Sequence, residues 1–362
     1  MERTLRRRRL LQLAAGAGAT AMAGCLGGGD DANDDDGNGD DTENGDDANG
    51  DDTGNGAFDG PEYATYLAPD ASNETFVAYV DFQRLSELED AVGDPEQGSG
   101  EPGEVGDPLI DTPVSAAFFV ALVAGFGIGT TGLGSLLADE DEQQTDVEST
   151  IDEQFLVNQG LALRGDIDTA EVQTLLSDVS GALQPFEPVD EDGEHTLYQA
   201  AGGGSGGQTI AVSSEDIIES QQREAVEAVI ETKRGEREST ISQFPEFQWL
   251  LSTAEESQLA FGGYNPDEFE VDEEVGVDDD LEEDPLTQLD PQPNGVMYSA
   301  SLSGDLIEAV AAISFETDVT DEAESVIRDE FGMDAQELEF DVDGNRILIT
   351  GRYDISAVLE SE

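Results

Sequence analysis

Cys25 has the clearest chemistry of any residue in the chain. It is the only cysteine, and it ends the segment Ala21-Met22-Ala23-Gly24-Cys25, although Met22 stands where leucine is more common. Small residues before a cysteine suit a signal peptidase, and a thiol can carry a thioether-linked lipid. We therefore predict that residues 1–24 are a lipoprotein signal peptide and that Cys25 is lipidated, which leaves no thiol for a disulfide.

Two arginines in the same segment predict the export route. Arg7 and Arg8 are followed, after one residue, by Leu10 and Leu11, which matches the twin-arginine pattern of export signals. Gln12 stands in the place of the usual lysine. The uncharged stretch 10–24 is shorter than the about 20 apolar residues of a membrane span. The predicted location is the outer face of the cytoplasmic membrane, where the lipid on Cys25 anchors the protein.

Asn73 is a candidate site of N-glycosylation. Asn73-Glu74-Thr75 is the one N-x-S/T tripeptide of the chain, and it lies just before a predicted strand. Such tripeptides also occur by chance. Modification of Asn73 is expected where the protein is exported and this side chain is exposed.

Two glycine-rich motifs resemble cofactor or catalytic motifs but lack what that chemistry needs. Residues 127–132 spell G-x-G-x-x-G, yet only 133–138 remain for the helix, and no second β-α unit follows. Residues 203–207 spell G-x-S-x-G around Ser205, but the one histidine, His195, precedes this serine, the reverse of the order in nucleophile-elbow enzymes. We predict glycine-rich packing, a hairpin loop and a solvated His195, with no catalytic residue and no cofactor.

The sequence also offers no specific metal site. One histidine and a lipidated cysteine exclude ordinary zinc chemistry. Asp341 and Asp343 match the opening of a calcium-binding EF-hand loop, but Thr350 stands where a bidentate glutamate is required. The alternating apolar residues of this region indicate a hairpin instead. Weak, non-specific cation binding is expected at the acidic run 278–283.

An alternation of strands and helices is expected to position these residues. Asp192-Gly193 and Asp343-Gly344 predict hairpin turns. Leu306–Ile313 is predicted to be a helix. Apolar runs and periodic apolar positions predict the other elements: strands at 76–80, 155–163, 196–198, 209–212 and 296–302, and helices after Asp168, around 225–230 and at 322–331.

The elements predict an α+β fold built from two related strand-helix-hairpin halves, as after an internal duplication. The turns at Asp192-Gly193 and Asp343-Gly344 correspond, as do the segments 62–67 and 246–251, each followed by a strand. Residues 164–166 and 303–305 are also predicted to correspond, each before a helix.

The predicted domain boundaries follow composition. Cys25 and the Gly, Asp and Asn-rich residues up to 60 form a disordered acidic linker. The first half covers 61–240 and contains an apolar insertion at 113–137. The second half covers 241–362 and contains an acidic loop at 268–294.

The apolar insertion at 113–137 has two interpretations. Its length permits a membrane span, but the flanks carry only acids and no Lys or Arg to hold a cytoplasmic end. Five glycines also weaken a lipid-exposed helix. We expect a buried core helix or hairpin, with contact to the membrane surface as the alternative.

The composition indicates a protein adapted to high salt. The chain holds 85 acidic and 14 basic residues, for a net charge of −71, and Lys233 is the only lysine. Such self-repulsion destabilises a compact state at ordinary ionic strength, but in molar salt the Debye length is about 3 Å. The chain resembles haloarchaeal proteins in these respects. Nucleic acid, a polyanion, is excluded as a partner.

Residues 224–247 resemble an uncharacterised family of exported prokaryotic proteins. The shared features are the helix at 225–230, Gly235, a turn containing Ser239 and the Phe-x-x-Phe start at 244–247, and the resemblance extends to 161–213. It implies an exported location and a repeat architecture and transfers no catalytic residue.

The sequence therefore predicts a lipid-anchored cell-surface ectodomain with a binding or structural role in the envelope and a partner or ligand that is unknown. Two alternatives stay open. One is an exported enzyme or cofactor carrier, because twin-arginine export moves folded cargo, and the other is an accessory subunit of a membrane complex.

Overall fold

The fold is given by a computed structural model of the chain. The predicted signal, Cys25, the linker up to 59 and Asn73 lie outside the residues that it describes, as do most of 113–137 and of 268–294. The described residues are 60–68, 75–84, 107–114, 116, 131–137, 147–157, 160–177, 185–201, 207–255, 257–266, 286, 289, 291–304 and 306–354.

One sheet of 12 strands organises the described residues, in the order β11-β12-β10-β9-β8-β1-β2-β3-β7-β6-β5-β4. Every neighbouring pair is antiparallel. The strands are β1 (Thr75–Asp81), β2 (Thr150–Val157), β3 (Gly160–Asp166), β4 (Phe186–Asp192), β5 (His195–Ala200), β6 (Thr209–Val212), β7 (Asp216–Ser220), β8 (Leu259–Tyr264), β9 (Pro293–Ser303), β10 (Leu306–Phe315), β11 (Glu337–Asp343) and β12 (Arg346–Asp354).

Helices connect the strands and cover the sheet. Residues 108–114 are also helical. The other helices are two 3₁₀ helices, Glu62–Tyr66 and Leu133–Leu136, and the α-helices α1 (Thr169–Ser177), α2 (Arg223–Lys233), α3 (Thr240–Gln243), α4 (Pro245–Ser252) and α5 (Asp321–Glu330). The fold is thus α+β, as predicted. Among the described residues, no helix combines the length and the apolar character that crossing a membrane requires.

We call the sheet face under the 3₁₀ helix Glu62–Tyr66 and helices α2 to α4 the front face. Its core includes Val77, Phe155 and Ile218 from the strands and Val226 and Phe247 from the helices, all buried. Burial of these apolar side chains, at about 25 cal/mol per Å², is the main force that holds the helices on the sheet.

The opposite side, the back face, carries two separate apolar cores. One lies under α1 and the 3₁₀ helix Leu133–Leu136 and includes Ile151 and Leu163. The other lies under α5 and the helical segment 108–114 and includes Leu109 and Ile313. The described ends of the apolar insertion are therefore buried, because Leu133 and Leu136 are 0% and 2% exposed.

The connections repeat across the central pair β1–β8. In the N-terminal half, strands β1 to β3 run as neighbours, α1 follows, and the hairpin β4–β5 comes next. In the C-terminal half, β8 to β10 run as neighbours, α5 follows, and the hairpin β11–β12 comes next. The N-terminal half adds β6, β7 and α2. One continuous sheet joins the two halves across the predicted boundary at 240.

Local sequence signals explain several element ends. The Asp168 carboxylate accepts the backbone N–H groups of Ala170 (2.9 Å) and Glu171 (3.1 Å) and so caps the start of α1. Both predicted hairpin turns are present. Each places glycine at positive φ, Gly193 at 62° and Gly344 at 63°, which side chains with a Cβ rarely adopt.

The helix predicted at Leu306–Ile313 was wrong, because these residues form β10. Gly304, at φ 63°, makes a tight turn that returns the chain against β9. Residues Ile307, Ala309 and Ala311 then alternate onto the buried back face. The expected match between 164–166 and 303–305 fails with it, because 164–166 ends a strand whereas 303–305 joins two strands. The predicted strand 155–163 is likewise two strands, β2 and β3.

Candidate functional site

Charged side chains cross the front face of the N-terminal half in one line. Asp81 lies opposite Glu153, Glu153 opposite Arg164, and Arg164 opposite Asp216 in the strand registers. Directly opposite residues on one face are close neighbours. The line continues through Ser213, whose backbone N–H donates to the Asp216 carbonyl (2.9 Å), to His195 at the start of β5. We call these six residues the polar row.

Asp216 is the centre of the polar row and is fully buried. Its Oδ1 accepts from His195 Nε2 (2.8 Å) and from Ser213 Oγ (2.5 Å). Its Oδ2 accepts from Tyr66 Oη (2.8 Å) and from Lys233 Nζ. The only histidine and the only lysine of the chain therefore contact the same carboxylate.

The partners of Asp216 keep it ionised. Burial alone would raise the pKa of this carboxyl, but the hydrogen bond from His195 and the charge of Lys233 outweigh it and hold the pKa well below its usual range. Burial, together with the Asp216 charge, raises the pKa of Tyr66, so this phenol stays a neutral donor. Lys233 Nζ also lies 4.3 Å from the centre of the Tyr66 ring.

The neighbouring part of the polar row is also an ion-pair network. Arg164 contacts Glu62 and Glu153, the latter at 3.2 Å. Tyr79 Oη donates to Glu153 (3.3 Å). Burial is the main cause of the raised pKa of Glu153, and the charge of Asp81 adds to it, against the lowering effect of Arg164. Arg164 is thus shared between two carboxylates and neutralises them incompletely.

His195, Asp216 and Ser213 are the residue types of a hydrolase triad, but their geometry differs from one. In a triad the histidine bonds the serine and takes its proton, while the acid bonds the other ring nitrogen. Here Ser213 and His195 both donate to Asp216. His195 Nδ1 is buried and has no hydrogen-bond partner among the described residues. The arrangement orders and neutralises charge and provides no activated nucleophile.

The prediction of a solvated His195 was wrong, because its side chain is 9% exposed. His195 follows the turn at Gly193, and the register of β5 turns it onto the front face. Sequence reasoning also missed Asp216, Lys233 and Tyr66. The rarity of lysine and histidine in this chain was the available signal, but Tyr66 and Asp216 are 150 positions apart.

The structure separates the other candidate residues. Asp341 and Asp343 lie in the hairpin β11–β12, as expected for a hairpin. Ser205 and residues 127–130 lie outside the described residues, and so do Arg7, Arg8, Cys25 and Asn73. Within the described ranges, no group of three or more His, Cys, Asp or Glu residues is placed to hold a metal ion.

A second polar feature lies on the front face of the C-terminal half. An open groove runs past the C-terminal end of α4, and its lining includes Thr253, Gln258, Ser299, Ser301 and Glu308. The Thr253 hydroxyl donates to the Leu250 carbonyl (2.7 Å), and Gln258 Oε1 accepts from the Leu302 backbone (2.7 Å). These contacts fix the polar groove walls.

Comparison with known proteins gives little similarity. No family model matches the chain, and no curated protein sequence matches it. Crystal form I of a protein named TP0453 matches with a TM-score of 0.37 and 8% identity, over 82% of this chain and 95% of that chain. Crystal form IV matches with a TM-score of 0.36 and 9% identity, over 85% and 100%. Values this low assign neither a fold family nor a function.

Proposed function

We propose that this chain is a lipid-anchored cell-surface protein of a salt-loving archaeon whose ectodomain binds a partner or supports the envelope, without catalysis. The proposal combines the twin-arginine pattern at Arg7 and Arg8, the lipidation motif at Cys25 and the acidic composition. Residues 26–60 would then act as an extended tether between the membrane and the sheet.

The geometry of Asp216 is the observation that favours a binding or structural role over catalysis. The groups best suited to acid-base work, His195 and Lys233, are both bound to one buried carboxylate. A general base needs a free lone pair within reach of a substrate proton. Here Lys233 Nζ is bound to Asp216, and the remaining ring nitrogen of His195, Nδ1, is buried out of reach of a substrate. This arrangement is expected of a structural cluster.

We also propose that the two halves arose by duplication. Glu62 contacts Arg164, and Glu246, which begins the corresponding segment, accepts from Arg346 Nε (2.7 Å). The next residues stack on tyrosines of the central strands, Tyr63 on Tyr79 (4.5 Å) and Phe247 on Tyr264 (5.8 Å). The two arginines lie in strands that do not correspond, β3 and β12, so the support comes from the shared order of an acid paired with a sheet arginine followed by a ring stacked on a central-strand tyrosine.

Lipid anchoring is tested by Cys25→Ser in a haloarchaeal host. We expect the variant to be released into the medium or to remain an unprocessed precursor in the membrane, because serine carries no thioether lipid. The measurement is the mass and the membrane fraction of the mature protein, with Thr20→Ser as the matched control. Full membrane retention of a correctly processed Cys25→Ser protein would exclude the anchor.

The export route is tested separately, because it can fail while the anchor holds. Replacing Arg7 and Arg8 together by lysine keeps the charge but removes the twin-arginine pattern, so we expect the protein to accumulate inside the cell. Arg3→Lys, which lies outside the pattern, is the control and should be exported normally. Normal export of the double variant would show that another route is used.

A further inference from the structure

The two edges of the sheet differ in how they are protected. Strand β4 ends the sheet on one side. Its pairing with β5 is interrupted by a register shift between Pro188 and Asp190. Asp190 and Asp192 are held by Arg223 and Arg234 of the α2 region, both at 2.6 Å. A proline, a bulge and ion pairs are the devices that prevent an edge strand from pairing with another chain.

Strand β11 ends the sheet on the other side and has neither a bulge nor a proline, and its one ion pair among the described residues, Glu337–Arg352 (2.9 Å), joins it to its neighbour β12. Its seven residues pair with β12 in unbroken register from Glu337 to Asp343. It contains no proline, glycine or lysine. In the part of the chain that the structure describes, no other strand pairs with its outer side. Outward N–H and C=O groups on such a strand are a template for one more strand.

The side chains of β11 differ between the two faces. On the front face, Glu339 and Asp341 are exposed and form no ion pair with a described residue. On the back face, Leu338 is 43% exposed and lies against Gly332, and the next residue, Met333, is 58% exposed. Phe340 is packed against the back-face core, with the Arg328 guanidinium 3.8 Å from its ring centre. An added strand would meet acids on one face and apolar groups on the other.

We propose that β11 is a docking edge for an extended protein segment in which basic and apolar residues alternate. The partner's backbone would pair with β11, its basic side chains would lie beside Glu339 and Asp341, and its apolar side chains would lie beside Leu338 and Met333. Charge complementarity selects this partner over a second copy of the chain, whose β11 would place like charges opposite each other. The proposal names a partner class for the binding role above but does not depend on the lipid anchor.

The charge preference is tested with two synthetic heptapeptides, one alternating lysine and valine and one alternating glutamate and valine. Binding to the full chain is measured in the lowest salt that preserves its cooperative unfolding, because the Debye length is about 10 Å at 0.1 M. We expect the lysine peptide to bind at least about tenfold more tightly. In Glu339→Lys with Asp341→Lys the preference should reverse, an outcome that a misfolded variant cannot produce.

The matched control lies on the other edge. Glu187→Lys with Glu191→Lys introduces the same charges on β4 and should leave the peptide preference unchanged. Amide exchange at 338–342 should slow when the lysine peptide binds. The proposal is overturned if both edges respond alike, if the exchange does not change, or if neither peptide binds. A β11-dependent dimer in sedimentation without peptide would instead identify a second copy as the occupant. None of these outcomes bears on whether Cys25 carries a lipid.

Discussion

On the front face, the two halves of the sheet differ in the polar groups that they bury. In the N-terminal half, helix α2 covers the front face, and the polar row beneath it joins Asp216 to Lys233 and His195. In the C-terminal half, the buried polar pair at the sheet end is neutral, because Ser314 Oγ donates to Asn294 Oδ1 (2.8 Å). The ion pairs of that half on the same face, Arg346–Glu246 and those of Arg352 with Glu308 and Glu337, are partly or largely exposed.

This difference shows where an acidic protein can place its acids. The front side chains of β11 include Glu337 and Glu339, which are exposed and need no buried partner. Under α2, a carboxylate can stay charged only if cations and hydroxyls surround it. The positions of the scarce basic residues agree with this requirement, because Arg164, Lys233 and Arg234 all pair with acids in the half that α2 covers.

The largest expected effect compares the charged cluster around Asp216 with the neutral pair Ser314–Asn294. Asp216→Asn keeps the shape but removes the charge that pairs with Lys233 and accepts from His195, so we expect a loss of about 3 to 5 kcal/mol in the free energy of unfolding. Ser314→Ala removes one neutral hydrogen bond in the other half and should cost about 1 kcal/mol. Both are measured by denaturant unfolding in molar salt. Equal losses would contradict the contrast between the halves.

The back face should behave alike in both halves, because an apolar helix covers each core. Leu133 and Leu109 are each 0% exposed, one over each half. Replacing either by alanine should cost about 3 kcal/mol through lost burial and a cavity. The measurement is the same unfolding experiment, with the exposed Met333→Ala as the control. A small effect of Leu133→Ala alone would show that the end of the apolar insertion contributes little to the core.

Much of the fold was predictable because its signals are local. The hairpins at Gly193 and Gly344 depend on glycine at positive φ, and the start of α1 depends on the carboxylate of Asp168 two and three residues before its partners. Strand β10 was not predictable in the same way. Its alanines favour a helix, and only pairing with β9 and β12 makes it a strand.

The polar row was not predictable for a different reason. The sequence contains 85 acidic residues, and nothing local distinguishes Asp216 from the others. Asp216 differs from the other acids in its partners, because the 3₁₀ helix Glu62–Tyr66 places Tyr66 beside it and α2 places Lys233 beside it. Such long-range convergence follows from strand order, which the turn and periodicity signals do not contain.

Glu219 gives a pH test of the covered half. It lies opposite Leu161 and Ile210 on the back face, and Gln208 donates to one of its oxygens. Burial raises its pKa, so the folded state binds the proton more tightly than the unfolded state, whose pKa is about 4.3. The contribution of Glu219 to the stability of the fold is therefore fully present below the unfolded-state pKa. It is lost as the pH rises through the raised pKa of the folded state.

We expect this contribution to vanish in Glu219→Gln. Relative to that variant, wild type should lose stability as pH rises from 4 to 8. Thermal melts of both proteins across this range give the difference, with the exposed Glu215→Gln as the control. A constant difference across the range would mean that Glu219 does not titrate abnormally in the folded state.

The smallest expected effect compares the two helix-to-sheet ion pairs of the proposed duplication. Glu62 is 75% exposed and Arg164 37%, whereas Glu246 is 27% and Arg346 31% exposed. Glu246→Gln should therefore cost up to about 1 kcal/mol and Glu62→Gln less, because solvent screens an exposed pair more strongly. Arg346 also stacks 5.0 Å above the Trp249 ring, and that contact is retained in Glu246→Gln, which limits the loss. Unfolding in molar salt gives both values, and the double variant should give their sum, since the pairs lie in different halves. A larger cost for Glu62→Gln would mean that the network around Arg164 and Glu153, and not exposure, decides the strength of the pair.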